Sequence, residues 1–243
     1  MRLLIVGYTG KMGLALQSLL KQYPQIEAIG LSRHEHSNCV SSILDAQGID
    51  LILDFSKPDA LDTYLPYAVS QKIPCVIATT GYSDEQMFAI QNASKTIPLF
   101  YSANFSKGIY VLKQLIKKMN DMCPEDQVDL TDIHHIHKAD APSGTAKALI
   151  ETIQTGRAKA LSVISDQTGL RADHELHLHV SRLGSVVGEH SVIYSNELEA
   201  IELKHTAYTK TNFAKGALDA AVWLMDKEPG YYTMEDLYGN VSK

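Results

Sequence analysis

The feature that most constrains this chain is a glycine-spaced loop, Gly7-Tyr8-Thr9-Gly10-Lys11-Met12-Gly13, between the apolar run Leu3–Val6 and a helical pattern carrying Leu14, Leu16, Leu19 and Leu20. A strand running through a short glycine turn into a helix opens a βαβ unit, because parallel strands need a crossover between them. Glycines there permit a tight turn and let the backbone approach a pyrophosphate, whose charge suits the unpaired amides at the helix start. The spacing is GxxGxxG rather than GxGxxG, so two readings stay open: a pyrophosphate cradle, or a plain strand-to-helix turn.

The first hundred residues repeat this rhythm. Ile26–Leu31, Leu51–Phe55, Pro74–Thr79 and Pro98–Ala103 are short, predominantly apolar runs without strict alternation, as strands covered on both faces are. Between them, Ser56-Lys57-Pro58 reads as an N-cap followed by proline, and Ser83-Asp84-Glu85-Gln86 as a capping box. The expected class is α/β, with an N-terminal Rossmann-type doubly wound parallel sheet.

After Asn104 the pattern changes. Ser106–Asn120 is helical, with Val111, Leu112, Leu115, Ile116 and Met119 on one face. Val128–Ile136, Glu175–Arg182, Val186–Tyr194 and Ala200–His205 alternate with period two, predicting a second α+β domain with a mixed sheet. Asn212–Lys227 is an amphipathic helix, and Pro229-Gly230 reads as a turn. This helix is expected to pack back on the first domain. The expected division is therefore 1–104 with 212–243 as a discontinuous dinucleotide-binding domain, and 105–211 as a second domain.

Composition narrows the function. With 243 residues, 45% of them hydrophobic, the chain buries a substantial core. A formal net charge of −6 offers nucleic acid and acidic lipid no global attraction, which favours small-molecule chemistry. The opening apolar run is too short for a signal sequence or membrane span, so a cytoplasmic protein is expected. Cys39, Cys75 and Cys123 are odd in number and lack CxxC pairing, which favours reduced, structural thiols.

Further candidates for nucleotide binding lie at strand ends. The second strand closes on Ser32-Arg33-His34, with no acid before Glu35 to accept a ribose 2′-hydroxyl. Ser32 and Arg33 suit a 2′-phosphate, which favours NADPH over NADH; an exposed polar loop, or Glu35 swinging in to bind NADH, is the alternative. Ala78-Thr79-Thr80-Gly81 and Ser102-Ala103-Asn104-Phe105 offer small hydroxyl and amide groups that suit a ribose or a carboxamide, or else serve as turn punctuation.

The densest polar stretch is DIHHIHKADAPSGT, Asp132 to Thr145. As a metal site it is poor. His134 and His135 are adjacent in an extended segment and diverge, and Lys138 repels a cation. His174-Glu175-Leu176-His177 also fails HExxH spacing. No metal is expected. As an anion site it is better: Ser143-Gly144-Thr145 begins a helix whose amides can hold a carboxylate, and Lys138 supplies a cation and a proton beside titratable histidines. That combination fits a small-molecule dicarboxylate that is protonated during reaction.

HHIHKADAPSGTA resembles the HHxxKxDAPSGTA signature of the dihydrodipicolinate reductase family, also termed 4-hydroxy-tetrahydrodipicolinate reductase. The likeness extends to GYTGKMG, DFSKP, ATTG, SANFSKG, VVGEH and NFAKGAL. It implies NAD(P)H-dependent reduction of 4-hydroxy-tetrahydrodipicolinate with loss of water, in lysine and diaminopimelate biosynthesis. By the same resemblance His134 and Lys138 are proton donors, His135 contacts substrate, and Gly144 and Thr145 bind a substrate carboxylate. Gly7, Tyr8, Thr9, Gly10, Lys11, Met12, Ala78 to Thr80 and Ser102 to Phe105 match the family's nucleotide contacts. Arg33 matches a 2′-phosphate position, while Ser32 stands where many relatives carry an acid. The resemblance also implies a homotetramer. Two competitors remain: an NADPH sensor, which has no use for proton donors, and a semialdehyde-type dehydrogenase, which would need a nucleophilic cysteine that this motif lacks.

Overall fold

The structure is a computed structural model in which residues 1–32, 36–165 and 169–239 are described. The chain packs into two compact units, Met1–Lys107 with Lys210–Lys243, and Gly108–Thr209.

The first unit begins β1 (Arg2–Val6), α1 (Lys11–Leu20), β2 (Glu27–Leu31), β3 (Cys39–Val40), β4 (Leu51–Asp54), α2 (Leu61–Gln71), β5 (Cys75–Ile77), α3 (Asp84–Ala93) and β6 (Pro98–Tyr101). α4 (Lys107–Met122) leads into the second unit, which continues with β7 (Gln127–His134), α5 (Gly144–Thr155), β8 (Ser162–Ile164), β9 (Glu175–Arg182), β10 (Gly188–Ser195) and β11 (Ala200–Ala207). The chain then returns to the first unit with α6 (Thr211–Leu224), β12 (Gly230–Tyr232) and α7 (Met234–Tyr238).

The first sheet has seven strands in the order β12-β6-β5-β4-β1-β2-β3, all paired parallel. Its central strands carry apolar runs because both faces are covered: Leu3 to Ile5, Leu51 to Leu53 and Cys75 to Ile77 have no solvent exposure. The chain moves outward from β1 in one direction to β2 and in the other to β4. The carboxyl ends of β1 and β4 therefore form the switch point where such sheets leave a crevice. Helix α6 lies on this sheet and against α1. Its buried face is mostly Ala and Gly, with Leu218 and Leu224, and a methyl group at Gly216 would come 1.8 Å from the Phe105 carbonyl oxygen.

The capping box at Ser83 forms as expected, with Ser83 N–H donating to Gln86 Oε1 at 3.2 Å and Gln86 N–H to Ser83 Oγ at 3.3 Å. Ser56 is not a cap; its hydroxyl donates to Asp54, and Lys57 occupies the cap position without a side-chain bond. Pro229-Gly230 is more than a turn. Gly230 starts β12, which pairs with β6 from Pro98 to Phe100, and Tyr232 packs edge-on against Trp223 at 5.3 Å. Strands of two or three residues, such as β3, β8 and β12, are too short to generate a readable period.

The second sheet has the order β11-β10-β7-β9-β8. β7, β9 and β8 run parallel, and β10 runs antiparallel to both β7 and β11, so the sheet is mixed as expected. Val128 and Leu130 of β7 share a core with Ile116 of α4 and Leu149 and Ile153 of α5. The same alternation carries Asp132 and His134 onto that buried face at the carboxyl end of β7.

Candidate functional site

In the first unit, a cavity of about 510 Å³ opens at the switch point, lined by Gly7, Thr9, Gly10, Ser32, Phe55 and Ser56 among others. Gly7 has φ +86°, and a Cβ on it would lie 2.5 Å from the Phe55 carbonyl oxygen. A Cβ on Gly13 would lie 2.2 Å from the Tyr8 carbonyl oxygen. Both glycines are thus required by backbone contact, and between them Gly10 begins α1 without a side-chain cap. Backbone amides at an uncapped helix start, facing a cavity, are suited to a pyrophosphate.

The other expected nucleotide residues divide. Lys11 is exposed and Met12 half-buried in the first turn of α1; Ala78, Thr80 and Ala103 lie at the carboxyl ends of β5 and β6 with open or half-open surfaces. Tyr8 is buried against Gly30, so only its backbone faces the loop, and its carbonyl accepts from Gln17 Nε2 at 2.8 Å. Thr79 Oγ1 accepts the Ser56 N–H at 2.8 Å. Ser102 and Asn104 are bonded to one another, and Asn104 Oδ1 accepts the Ser106 N–H at 2.8 Å. Phe105 is a core residue packed on Phe55 and Phe100. Arg33 lies outside the described residues.

Beneath this loop cluster is a residue to which spacing assigns no role. Asp54, fully buried, accepts the Ser56 N–H at 2.9 Å, the Ser56 hydroxyl, Tyr64 Oη at 3.0 Å and Tyr82 Oη at 2.9 Å. Burial raises its pKa, and the hydroxyl donors oppose that rise. The carboxylate ties the loops after β4 and β5 together.

The second unit gathers the polar stretch around Asp132, which has no solvent exposure. Asp132 Oδ2 accepts the Ser143 N–H at 2.8 Å. Oδ1 lies 2.9 Å from His134 Nδ1 and 3.3 Å from His190 Nε2. The His134 contact is not an aligned hydrogen bond, so it acts as a close electrostatic approach. His190 Nε2 also lies 3.2 Å from Ser143 Oγ, which caps α5 by accepting the Ala146 N–H at 3.0 Å. Asp132 stands opposite His190 in the β7–β10 register, and Gly188 lies beside His134, where a Cβ would come 3.1 Å from His134 Nε2.

These contacts set the protonation states. Burial opposes ionisation of Asp132, but His190 and the Ser143 amide outweigh it and hold the carboxyl well below its usual range. Burial pushes His134 down to about 4 against the pull of Asp132. His205, opposite His190 on β11, is likewise lowered by burial and by the His190 ring.

Lys138 and its neighbours form the rim. Lys138 Nζ donates to Asp140 at 2.7 and 2.9 Å. Arg182 of β9 holds this loop from behind, donating to the carbonyls of Lys138 at 3.3 Å and Asp140 at 2.5 Å, with Nη1 4.0 Å from Asp132. His135 follows β7 and turns toward His137, their rings 6.3 Å apart, while the ring of His134 faces His190 at 5.3 Å. The expected divergence of His134 and His135 thus takes this form. Gly144 opens α5 with clear space around its Cα, whereas Ser143 is buried and spends its N–H and hydroxyl inside the protein.

Asp132, His134 and His190 offer ligand-type atoms within 4.8 Å of one another. The Ser143 amide and Arg182 already face that carboxylate, an arrangement that suits protons better than a cation. Sequence reasoning gave no role to Asp132, Arg182, Gly188 or His190, although Asp132 opens the polar stretch and Gly188 and His190 lie in VVGEH. The i, i+2 spacing of Asp132 and His134, and of Gly188 and His190, was the available signal.

Family profiles match both parts of the chain: dihydrodipicolinate reductase, N-terminus, over residues 1–105, and dihydrodipicolinate reductase, C-terminus, over residues 108–238. The chain belongs to the dihydrodipicolinate reductase family. The 4-hydroxy-tetrahydrodipicolinate reductase of Clostridium tetani is 37% identical over 96% of this chain and 95% of its own length. That of Exiguobacterium sibiricum is 42% identical over 79% of this chain and 78% of its own. Among solved structures, the dipicolinate-bound dihydrodipicolinate reductase of Paenisporosarcina sp. TG-14 superposes with a TM-score of 0.81 over 98% of each chain at 19% identity. An aspartate dehydrogenase from Thermotoga maritima shares the fold more loosely, with a TM-score of 0.54 at 14% identity over 94% of this chain and 98% of its own. The fold therefore does not choose the reaction, and the site must.

Proposed function

We propose that this chain reduces 4-hydroxy-tetrahydrodipicolinate to tetrahydrodipicolinate with loss of water, the reductase step of lysine and diaminopimelate biosynthesis, using a pyridine nucleotide. The observation that carries this reading is the meeting of His134, Lys138 and the start of α5 at one end of the second sheet. One proton-bearing ring, one ammonium and one helix start match the needs of a cyclic dicarboxylate.

The first-unit cavity is the place for the nucleotide. Its glycine contacts leave room for a backbone-bound pyrophosphate, and Gly7 to Met12 would hold that group. Ala78 to Thr80 and Ser102 to Phe105 would frame the ribose and carboxamide, partly through backbone groups where the side chains of Thr79 and Phe105 are committed inward. Ser32 and Arg33 would take the 2′-phosphate, making NADPH the preferred cofactor and NADH the second. When bound, the nicotinamide supplies the hydride.

The remaining steps belong to the chain. Gly144 and Thr145 receive a substrate carboxylate on their amides, supported by the dipole of α5. Lys138 leaves Asp140 to pair with the dicarboxylate and stabilises the electron-rich ring formed on reduction. His134 delivers a proton from Nε2, and His135 contacts the substrate. Ser143 contributes by holding the turn. A cytoplasmic homotetramer assembled through the five-stranded sheet completes the reading, and light scattering at four times the 26.8 kDa chain mass would support it.

The test is nucleotide oxidation by the purified chain, supplied with the fresh condensation product of pyruvate and aspartate semialdehyde. Rapid oxidation is expected, faster with NADPH than NADH, and Arg33→Ala should weaken NADPH much more than NADH. No oxidation by a chain that still binds NADPH would transfer belief to a nucleotide sensor.

A further inference from the structure

Asp132 sits where three parts of the site meet. Its two oxygens face different directions: Oδ2 toward the Ser143 amide, and Oδ1 toward His134 Nδ1 and His190 Nε2. It is fully buried, so water does not compete for either oxygen. A carboxylate oxygen 2.9 Å from Nδ1 attracts that edge of the imidazole even without an aligned hydrogen bond, and so turns the other nitrogen outward. Here that other nitrogen, Nε2, points to the space left by Gly188, where a Cβ would sit 3.1 Å away.

We infer that Asp132 is a positioning residue with two separable jobs. Its Oδ2 holds the Ser143 turn so that the amides of Gly144 and Thr145 receive a substrate carboxylate. Its Oδ1 fixes His134 with Nδ1 inward and Nε2 toward the reacting ring. His190 braces the same carboxylate from β10, and Gly188 keeps the approach to Nε2 open. The inference rests on the reductase reading, because it assigns His134 as the proton donor.

The two oxygens can be tested apart. In Asp132→Asn the amide oxygen can still accept the Ser143 N–H, while the NH₂ group faces His134 Nδ1 and forces it to accept, leaving Nε2 as a fixed neutral donor. We expect kcat to fall about 100-fold, the low end of what general acid catalysis contributes. Dipicolinate affinity, read by calorimetry, should stay within about threefold. In Asp132→Ala both supports go, and dipicolinate affinity should fall by about tenfold as well. Because Asn acts only through the ring, Asp132→Asn combined with His134→Gln should be no slower than His134→Gln alone.

A purely structural role for Asp132 predicts a different pattern. Both variants would then lose NADPH affinity and thermal stability together, and the two substitutions would multiply in kcat. Either that pattern, or Asp132→Asn turning over within twofold of the parent, overturns the inference. If Asp132→Ala fails to fold, Ser143→Pro, which deletes the same amide, takes its place in the binding arm. If the parent chain has no turnover, the reductase reading fails, and the dipicolinate arm alone decides whether Oδ2 supports an anion site.

Discussion

His134 must be protonated to act as a donor, yet its burial holds it down to about 4 in the free protein. In the proposed mechanism the ligand resolves this: a dicarboxylate bound there would add negative charge nearby and favour the imidazolium. The expected signature is a kcat/KM that falls as pH rises from 5 to 8, approaching tenfold per pH unit, with the inflection in kcat displaced to higher pH. Profiles flat across that range would reject His134 as the acid. A second prediction concerns Lys138, whose ammonium is paired with Asp140 at 2.7 Å at a half-exposed rim. In the proposed mechanism Asp140 competes there with a substrate carboxylate, and a pair of this kind is worth at most about 1 kcal/mol. Asp140→Asn should therefore tighten dipicolinate binding by about two- to fivefold in a calorimetric titration, and equal or weaker binding would remove the competitor role.

Among the elements, what was legible depended on length and on face. The longer parallel strands of the first unit could be read because each carries a predominantly apolar run, and the helix α6 because its small and apolar residues recur at helical spacing. The role of its glycine could not be read. Gly216 looks like a defect inside a helix, and only the fold shows the Phe105 carbonyl lying against its Cα. Gly216→Ala should destabilise the chain by at least about 2 kcal/mol in urea unfolding, although alanine is the better helix former. The candidate site shows the same limit. HHxxK and SGT are local and visible, whereas the carboxylate that links them accepts from a residue 11 positions away and faces a histidine 58 positions away. Linear spacing carries no record of which strand pairs with β7. Asp54 was hidden for the same reason, since its partners Tyr64 and Tyr82 come from α2 and from the loop after β5.

At the scale of the molecule, the buried polar cluster ties stability to pH. In the unfolded chain His134 titrates near 6.5, and in the folded chain near 4. Between those values the unfolded form binds a proton that the folded form refuses, so stability is full above pH 6.5 and declines as pH falls toward 4. Asp132, held below its ordinary range, adds a loss at still lower pH. Thermal unfolding should therefore show a falling midpoint between pH 6.5 and 4, and that fall should shrink in His134→Gln; an unchanged slope would place its origin elsewhere. The parallel pairing of β12 with β6 bears on how the protein is made. Residues 108–209 are contiguous and carry their own core, so they can fold as soon as they leave the ribosome. The first sheet cannot. Its strand β6 waits with an open edge through the synthesis of more than a hundred further residues, until Gly230 to Tyr232 arrive to cover it. During that interval the nascent chain exposes a template for mispairing, which makes β6 the segment where a chaperone is most needed.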